Sequence, residues 1–116
     1  MSKFIRSLKH AARGLIYLLI HEQNFKIHLF SGIVVLLLGI ILSIDYYEFL
    51  VILIIIAFVF MAEIVNTIIE YLLDILHPEY HDKIKILKDA TAGVVLFASL
   101  VAIIIGLVIF LPKIIH

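Results

Sequence analysis

The sequence predicts an all-α integral membrane protein, an amphipathic helix at the interface followed by three transmembrane helices, in one domain over residues 1–116. Composition points there first: hydrophobic residues make up 65% of the chain, charged residues 16%, and the mean hydropathy is +1.24. A soluble domain this small has a large surface relative to its core and could not cover it with so few charges. The second observation is three long apolar segments. The third is the placement of positive charge, which fits three crossings.

Residues 2–21 form the interfacial helix. At 100° per residue Lys3, Arg6, Lys9, His10, Arg13, Tyr17 and His21 share one face, and Phe4, Ile5, Leu8, Leu15 and Leu19 lie opposite. Its apolar run from Leu15 to Ile20 is interrupted by His21 and Glu22, and no small-x-small cleavage pattern follows. A cleaved signal is therefore not expected, and the chain is read as mature.

The spans are expected at about 27–44, 47–76 and 88–111. The first is broken only by His28, Ser31 and Ser43, and the second has no charge from Phe49 to Ala62. Ala90 to Pro112 is uncharged throughout, about 35 Å of helix against a hydrocarbon core of about 30 Å. Backbone groups in lipid must be paired within the segment, and unbroken apolar runs exclude the alternation of a barrel. Eight of the nine Lys and Arg residues fall in 1–26 or 83–88, so the positive-inside rule puts the N-terminus and the 77–88 loop in the cytoplasm. The 43–48 turn and the C-terminus are then outside.

The formal net charge is zero, which gives no footprint for nucleic acid, and there is no cysteine for disulfides or thiolate metal sites. No phosphate loop of the G-x-x-x-x-G-K-[ST] type occurs, and the five glycines are scattered.

Chemistry concentrates in the second span. Glu63, Asn66, Thr67, Glu70 and Asp74 fall within about 100° of one another on an otherwise apolar helix. Exposing Asp to lipid at mid-membrane costs about 2.5–3.5 kcal/mol, so this stripe must face protein, water or ions. Three helices hardly enclose such a stripe, which argues for an oligomer, and Ala90, Ala92, Gly93, Ala98, Ala102 and Gly106 of the third span would allow close helix contact. Counting about 20 residues from Glu48 sets the cytoplasmic boundary near Ile68. Glu63 then lies roughly 7 Å inside the hydrocarbon edge and Glu70 just outside it. Glu22, Glu63, Asn66, Glu70, Lys88 and Asp89 converge on one layer, and acidic oxygens with an ammonium and a carboxamide suit hard-cation and phosphate chemistry. A stripe that only pins a non-enzymatic scaffold, or lines a small cation-conducting oligomer, is the competing reading. Lys88-Asp89 at the depth of the carboxylates argues against both.

Glu63-x-x-Asn66-Thr67-x-x-Glu70-x-x-x-Asp74, then Glu79-Tyr80-His81 and Lys88-Asp89, with Glu22 ahead of Asn24-Phe25, resembles the signature of the bacterial three-span diacylglycerol kinase and undecaprenol kinase family. The resemblance covers essentially the whole chain. It implies a homotrimer in the bacterial plasma membrane, ATP as cosubstrate, Mg²⁺ as cofactor and a lipid alcohol as acceptor. It implies that Glu63 is the general base, that Glu22 and Glu70 ligate magnesium, that Lys88 meets the phosphates and that Asp89 orients the site. Asn66, Glu79, Tyr80 and His81 would lie along the nucleotide, as would His10, which stands where the diacylglycerol kinase branch tends to have a tyrosine. Ile68 and Leu73 depart from the signature without altering a charge. His28 replaces an acid typical of the diacylglycerol branch, and Asn24-Phe25-Lys26-Ile27-His28 is similar to the Gram-positive undecaprenol kinase branch, which favours undecaprenol over diacylglycerol as acceptor.

The topology is directly testable. A cysteine at Tyr46 is expected to react with an impermeant thiol reagent added outside intact cells, and one at Lys83 is not; the reverse pattern inverts the orientation.

Overall fold

The computed structural model describes residues 2–115, and every regular element among them is an α-helix: α1 Ser2–His21, α2 Gln23–Ile41, α3 Tyr46–Leu76 and α4 Asp82–Ile115. The last three are long and apolar enough to cross a membrane. α3 packs against both α2 and α4, and α1 lies against α2. The result is a flat body, 54 × 45 × 20 Å.

α1 and α2 are nearly continuous. Only Glu22 separates them, in an extended conformation (φ −109°, ψ 115°) as the N-cap residue of α2. A carboxylate there sits at the positive end of the α2 dipole. Of α1's residues only Leu18 is buried; Phe4, Leu8 and Leu15 stand exposed in a single chain.

Two capping devices build the turn from α2 to α3. The Ser43 N–H donates to the carbonyl of Ile40 at 3.2 Å and the Ile44 N–H to that of Gly39 at 3.1 Å, with Ser43 at φ 57°. This pattern satisfies the last carbonyls of a helix through a left-handed residue, a position that favours glycine. Gly39 serves it by close approach: a Cβ there would stand 2.9 Å from Ile44 Cδ1. Next, the Glu48 N–H donates to Asp45 Oδ1 at 2.8 Å and the Asp45 N–H to Glu48 Oε1 at 3.1 Å. That reciprocal pair opens α3. Lys113 Nζ, 3.4 Å from the same Glu48 oxygen, ties in the end of α4.

The helices run to other bounds than the expected spans at both ends of α2 and of α4. α2 begins at Gln23 and ends at Ile41, because helical hydrogen bonding continues past Lys26 while the turn at Ser43 closes the other end early. α4 begins at Asp82, so the loop is 77–81 and not 77–88. Asp82 in the first turn complements the helix dipole, and Lys85 pairs with Asp89 one turn later, which stabilises helix across a charged run. The helix also runs through Pro112 to Ile115; proline so near the end forgoes a single backbone hydrogen bond.

Buried apolar side chains gather near the α2–α3 turn, where Ile52, Ile109 and Phe110 pack with Val35, Leu38, Ile44 and Ile105. Toward the other end Phe25 and Phe60 pack with ring centroids 5.3 Å apart. Most other large apolar side chains are exposed, as expected where the solvent is hydrocarbon.

The Asp45 cap generates a prediction. Asp45→Ala should destabilise the detergent-solubilised protein by about 0.5–2 kcal/mol, read as a lower Tm, whereas Asp45→Asn should retain most of the wild-type value. An Asp45→Ala protein as stable as the wild type would remove the capping box from the account.

Candidate active site

The polar stripe of α3 faces inward and is partly enclosed by the chain itself. Glu63 is 3% exposed, Thr67 4% and Asn66 6%, whereas Glu70 is half-buried and Asp74 exposed. The expectation that three helices cannot hide the stripe is therefore corrected at its deep end. α2 lies close enough against α3 to cover Glu63, helped by Gly32, where a Cβ would meet Ile56 at 3.0 Å.

Each polar member has a partner. Thr67 Oγ1 donates to Glu63 Oε1 at 3.5 Å, and His28 Nε2 of α2 stands 3.6 Å from Glu63 Oε2. Both carboxylate oxygens thus face a polar group while helices cover the rest. One turn on, Asn66 Nδ2 donates to Glu70 Oε1 at 3.0 Å. The Asn66 Oδ1 is buried and accepts no hydrogen bond. A buried amide oxygen without a donor is costly. Farther along, the Tyr71 hydroxyl donates to Glu22 Oε1, bringing the α1–α2 corner against α3. The Lys88 ammonium donates to Asp74 Oδ1 and holds α4 to α3. Both partners of that pair are substantially exposed, so it positions more than it stabilises.

The expected constellation is thus only partly assembled. Glu63 is held by Thr67 and His28, Asn66 pairs with Glu70, and Glu22 and Lys88 each reach α3 through a separate contact, at Tyr71 and Asp74. Asp89 turns the other way: it pairs with Lys85 at 2.7 Å on its own helix and is exposed. Glu79, Tyr80 and His81 lie in the exposed loop, where His81 Nδ1 accepts from the Lys83 N–H at 3.1 Å. His10 is exposed on α1.

His28 entered the sequence reading only as a mark of the acceptor branch and Tyr71 not at all, yet they contact Glu63 and Glu22. His28 carried a visible signal as the polar interruption of an apolar span. Tyr71 carried none, since a tyrosine near the membrane edge is commonplace.

No set of three His, Cys, Asp or Glu side chains close enough to hold a metal ion occurs among the described residues. Magnesium does not require one, being bound through one or two carboxylates with phosphate oxygens and water. Glu22 and Glu70 supply carboxylate oxygens of the kind that could hold such an ion.

A model of the prokaryotic diacylglycerol kinase family matches residues 9–110. The chain belongs to that family. It is 35% identical over 113 residues to the undecaprenol kinase of Bacillus subtilis, covering 97% of this chain and 92% of that one. It is also 33% identical over 107 residues to a diacylglycerol kinase of Synechocystis, covering 91% of this chain and 61% of that longer one. Membership makes the chain a lipid kinase, hence a transferase, with ATP use implied. The scaffold and cation-pathway readings fall with it, and the three apolar helices identify a membrane-embedded kinase.

Proposed function

We propose that the chain transfers the γ-phosphate of Mg-ATP to the hydroxyl of undecaprenol, at the cytoplasmic face of the bacterial plasma membrane, as a homotrimer. The acceptor is argued from the Asn24-to-His28 fragment and from similarity over nearly the full length to a protein named undecaprenol kinase. Diacylglycerol is the second reading, favoured by the Synechocystis relative.

The single observation that carries the mechanism is the burial of Glu63 between α2 and α3, deeper than Glu70 on the same face. A lipid alcohol holds its hydroxyl near the hydrocarbon edge, whereas the nucleotide arrives from water. Glu63 takes the hydroxyl proton as the acceptor oxygen bonds to the γ-phosphorus; the bond from that phosphorus to the bridging oxygen breaks and ADP leaves. Glu22 and Glu70 would hold magnesium. When bound, the ion neutralises charge on the phosphates. Lys88, released from Asp74, meets the phosphates, and Asp89, released from Lys85, orients the site. Glu79, Tyr80, His81 and His10 contact the nucleotide from the loop and from α1. The half-open side at Glu70 and Asp74 is where a second subunit closes the site in the trimer. α1 lies in the headgroup layer with its basic face to water.

The acceptor is tested by following labelled γ-phosphate into undecaprenol and dioleoylglycerol at matched surface concentration in the same micelles. The higher kcat/KM is expected with undecaprenol. A higher value with dioleoylglycerol would overturn that assignment and leave the diacylglycerol reading.

A further inference from the structure

An acid that takes a proton inside a membrane has to lose it again before the next turnover. Glu63 faces two polar groups, and they differ in what they can do with a proton. Thr67 Oγ1, 3.5 Å from one carboxylate oxygen, can only donate a hydrogen bond to it near neutral pH. His28 Nε2 stands 3.6 Å from the other, and an imidazole takes up a proton at one ring nitrogen and gives one up at the other. The two side chains also differ in enclosure, the acid being 3% exposed and the imidazole 22%. By the expected boundaries His28 is the second residue of its span, whereas Glu63 lies about five residues, roughly 7 Å, inside the hydrocarbon edge. The ring therefore starts from a shallower level than the acid it faces. Glu70 and Glu22 are the other acids near enough to act on Glu63 through their charge, and α4 brings no titratable side chain to the space beside His28.

We propose that His28 is a proton relay, which takes from Glu63 the proton of the acceptor hydroxyl and passes a proton on to water. The proposal rests on the general-base reading of Glu63 argued above and adds the route by which that base is restored. The hydroxyl proton moves to Glu63 as the acceptor oxygen bonds to the γ-phosphorus. Glu63 then gives it to Nε2 of a neutral His28 ring while the proton on Nδ1 leaves to water. The ring ends in its other tautomer and returns by exchange with water, so each turnover releases one proton. A separation of 3.6 Å suits a protein without substrate, because catalytic hydrogen bonds tighten in the reacting complex. His28 acts through Glu63 and touches neither phosphate nor metal in this scheme.

Glutamine at position 28 keeps a hydrogen-bond donor near the place of Nε2 but carries no proton. With undecaprenol in micelles and Mg-ATP saturating, kcat of His28→Gln should fall at least about tenfold, while KM for Mg-ATP and nucleotide binding stay at wild-type values. In His28→Ala kcat should fall likewise and recover on addition of imidazole. That recovery should grow with pH at fixed total imidazole, because the free base does the work, and neither the wild type nor Glu63→Gln should gain from it. Dioleoylglycerol serves equally well as acceptor, since the relay handles the proton of any hydroxyl. A wild-type kcat in His28→Gln would overturn the proposal, because a hydrogen bond to Glu63 would then suffice. So would a folded His28→Ala that imidazole does not restore. Should His28→Ala fail to fold, kcat of His28→Gln decides, with nucleotide binding as the check on its fold. A near-wild-type kcat in Glu63→Gln would instead remove the general base and the relay with it, whereas an active His28→Gln beside an inactive Glu63→Gln removes the relay alone.

Discussion

A carboxylate on a membrane-spanning helix has to be covered by something that is not lipid, and Glu63 makes that demand on the whole structure. The charge is expensive in hydrocarbon, so the helices around it must be close, and its two oxygens must face polar groups. α2 answers both needs: Gly32 lets it approach, and His28 presents a ring nitrogen to one oxygen while Thr67, one turn along α3, presents a hydroxyl to the other. The capped turn between α2 and α3 fixes their register from the far end, and the Glu48–Lys113 contact brings α4 to the same point. Holding one acid out of lipid and assembling three helices are the same problem here.

Depth then divides the chemistry. The acids of α3 follow one another along a single face, from the buried Glu63 through the half-buried Glu70 to the exposed Asp74. The proposed reaction uses the buried one for a proton from the lipid, and the half-buried one for a cation that keeps part of its water. Glu22 reaches the shallow group only because α1 and α2 break at that residue, and Tyr71 secures it there. Lys88 stands on Asp74 in an exposed and weak pairing, which the proposed reaction has a phosphate displace.

The three long apolar helices and the single face of the acidic stripe were legible in the amino-acid pattern, because hydrocarbon thickness and the 3.6-residue period act on every residue of such a helix. The start of α4 was not: Asp82 to Lys88 is a charged run, and hydropathy reads charge as loop even where dipole and i,i+4 pairing support a helix. Partner choice was not legible either. That Lys88 would take Asp74, and that His28 would stand on Glu63, depends on the rotation of each helix about its axis. The periodicity of one helix does not fix its rotation against another. The enclosure of Glu63 within one chain was missed for a related reason, since a helix count says nothing of how closely a glycine lets two helices pack.

The central claim is that the deep acid handles the proton and the shallow acids handle the metal. It is tested most directly by kcat for Glu63→Gln with Mg-ATP saturating, alongside nucleotide binding to the same protein. Glutamine keeps the shape and loses the base, so kcat should fall at least about 10²-fold while nucleotide binding survives. A near-wild-type kcat would contradict the account and move the base to another residue or to none.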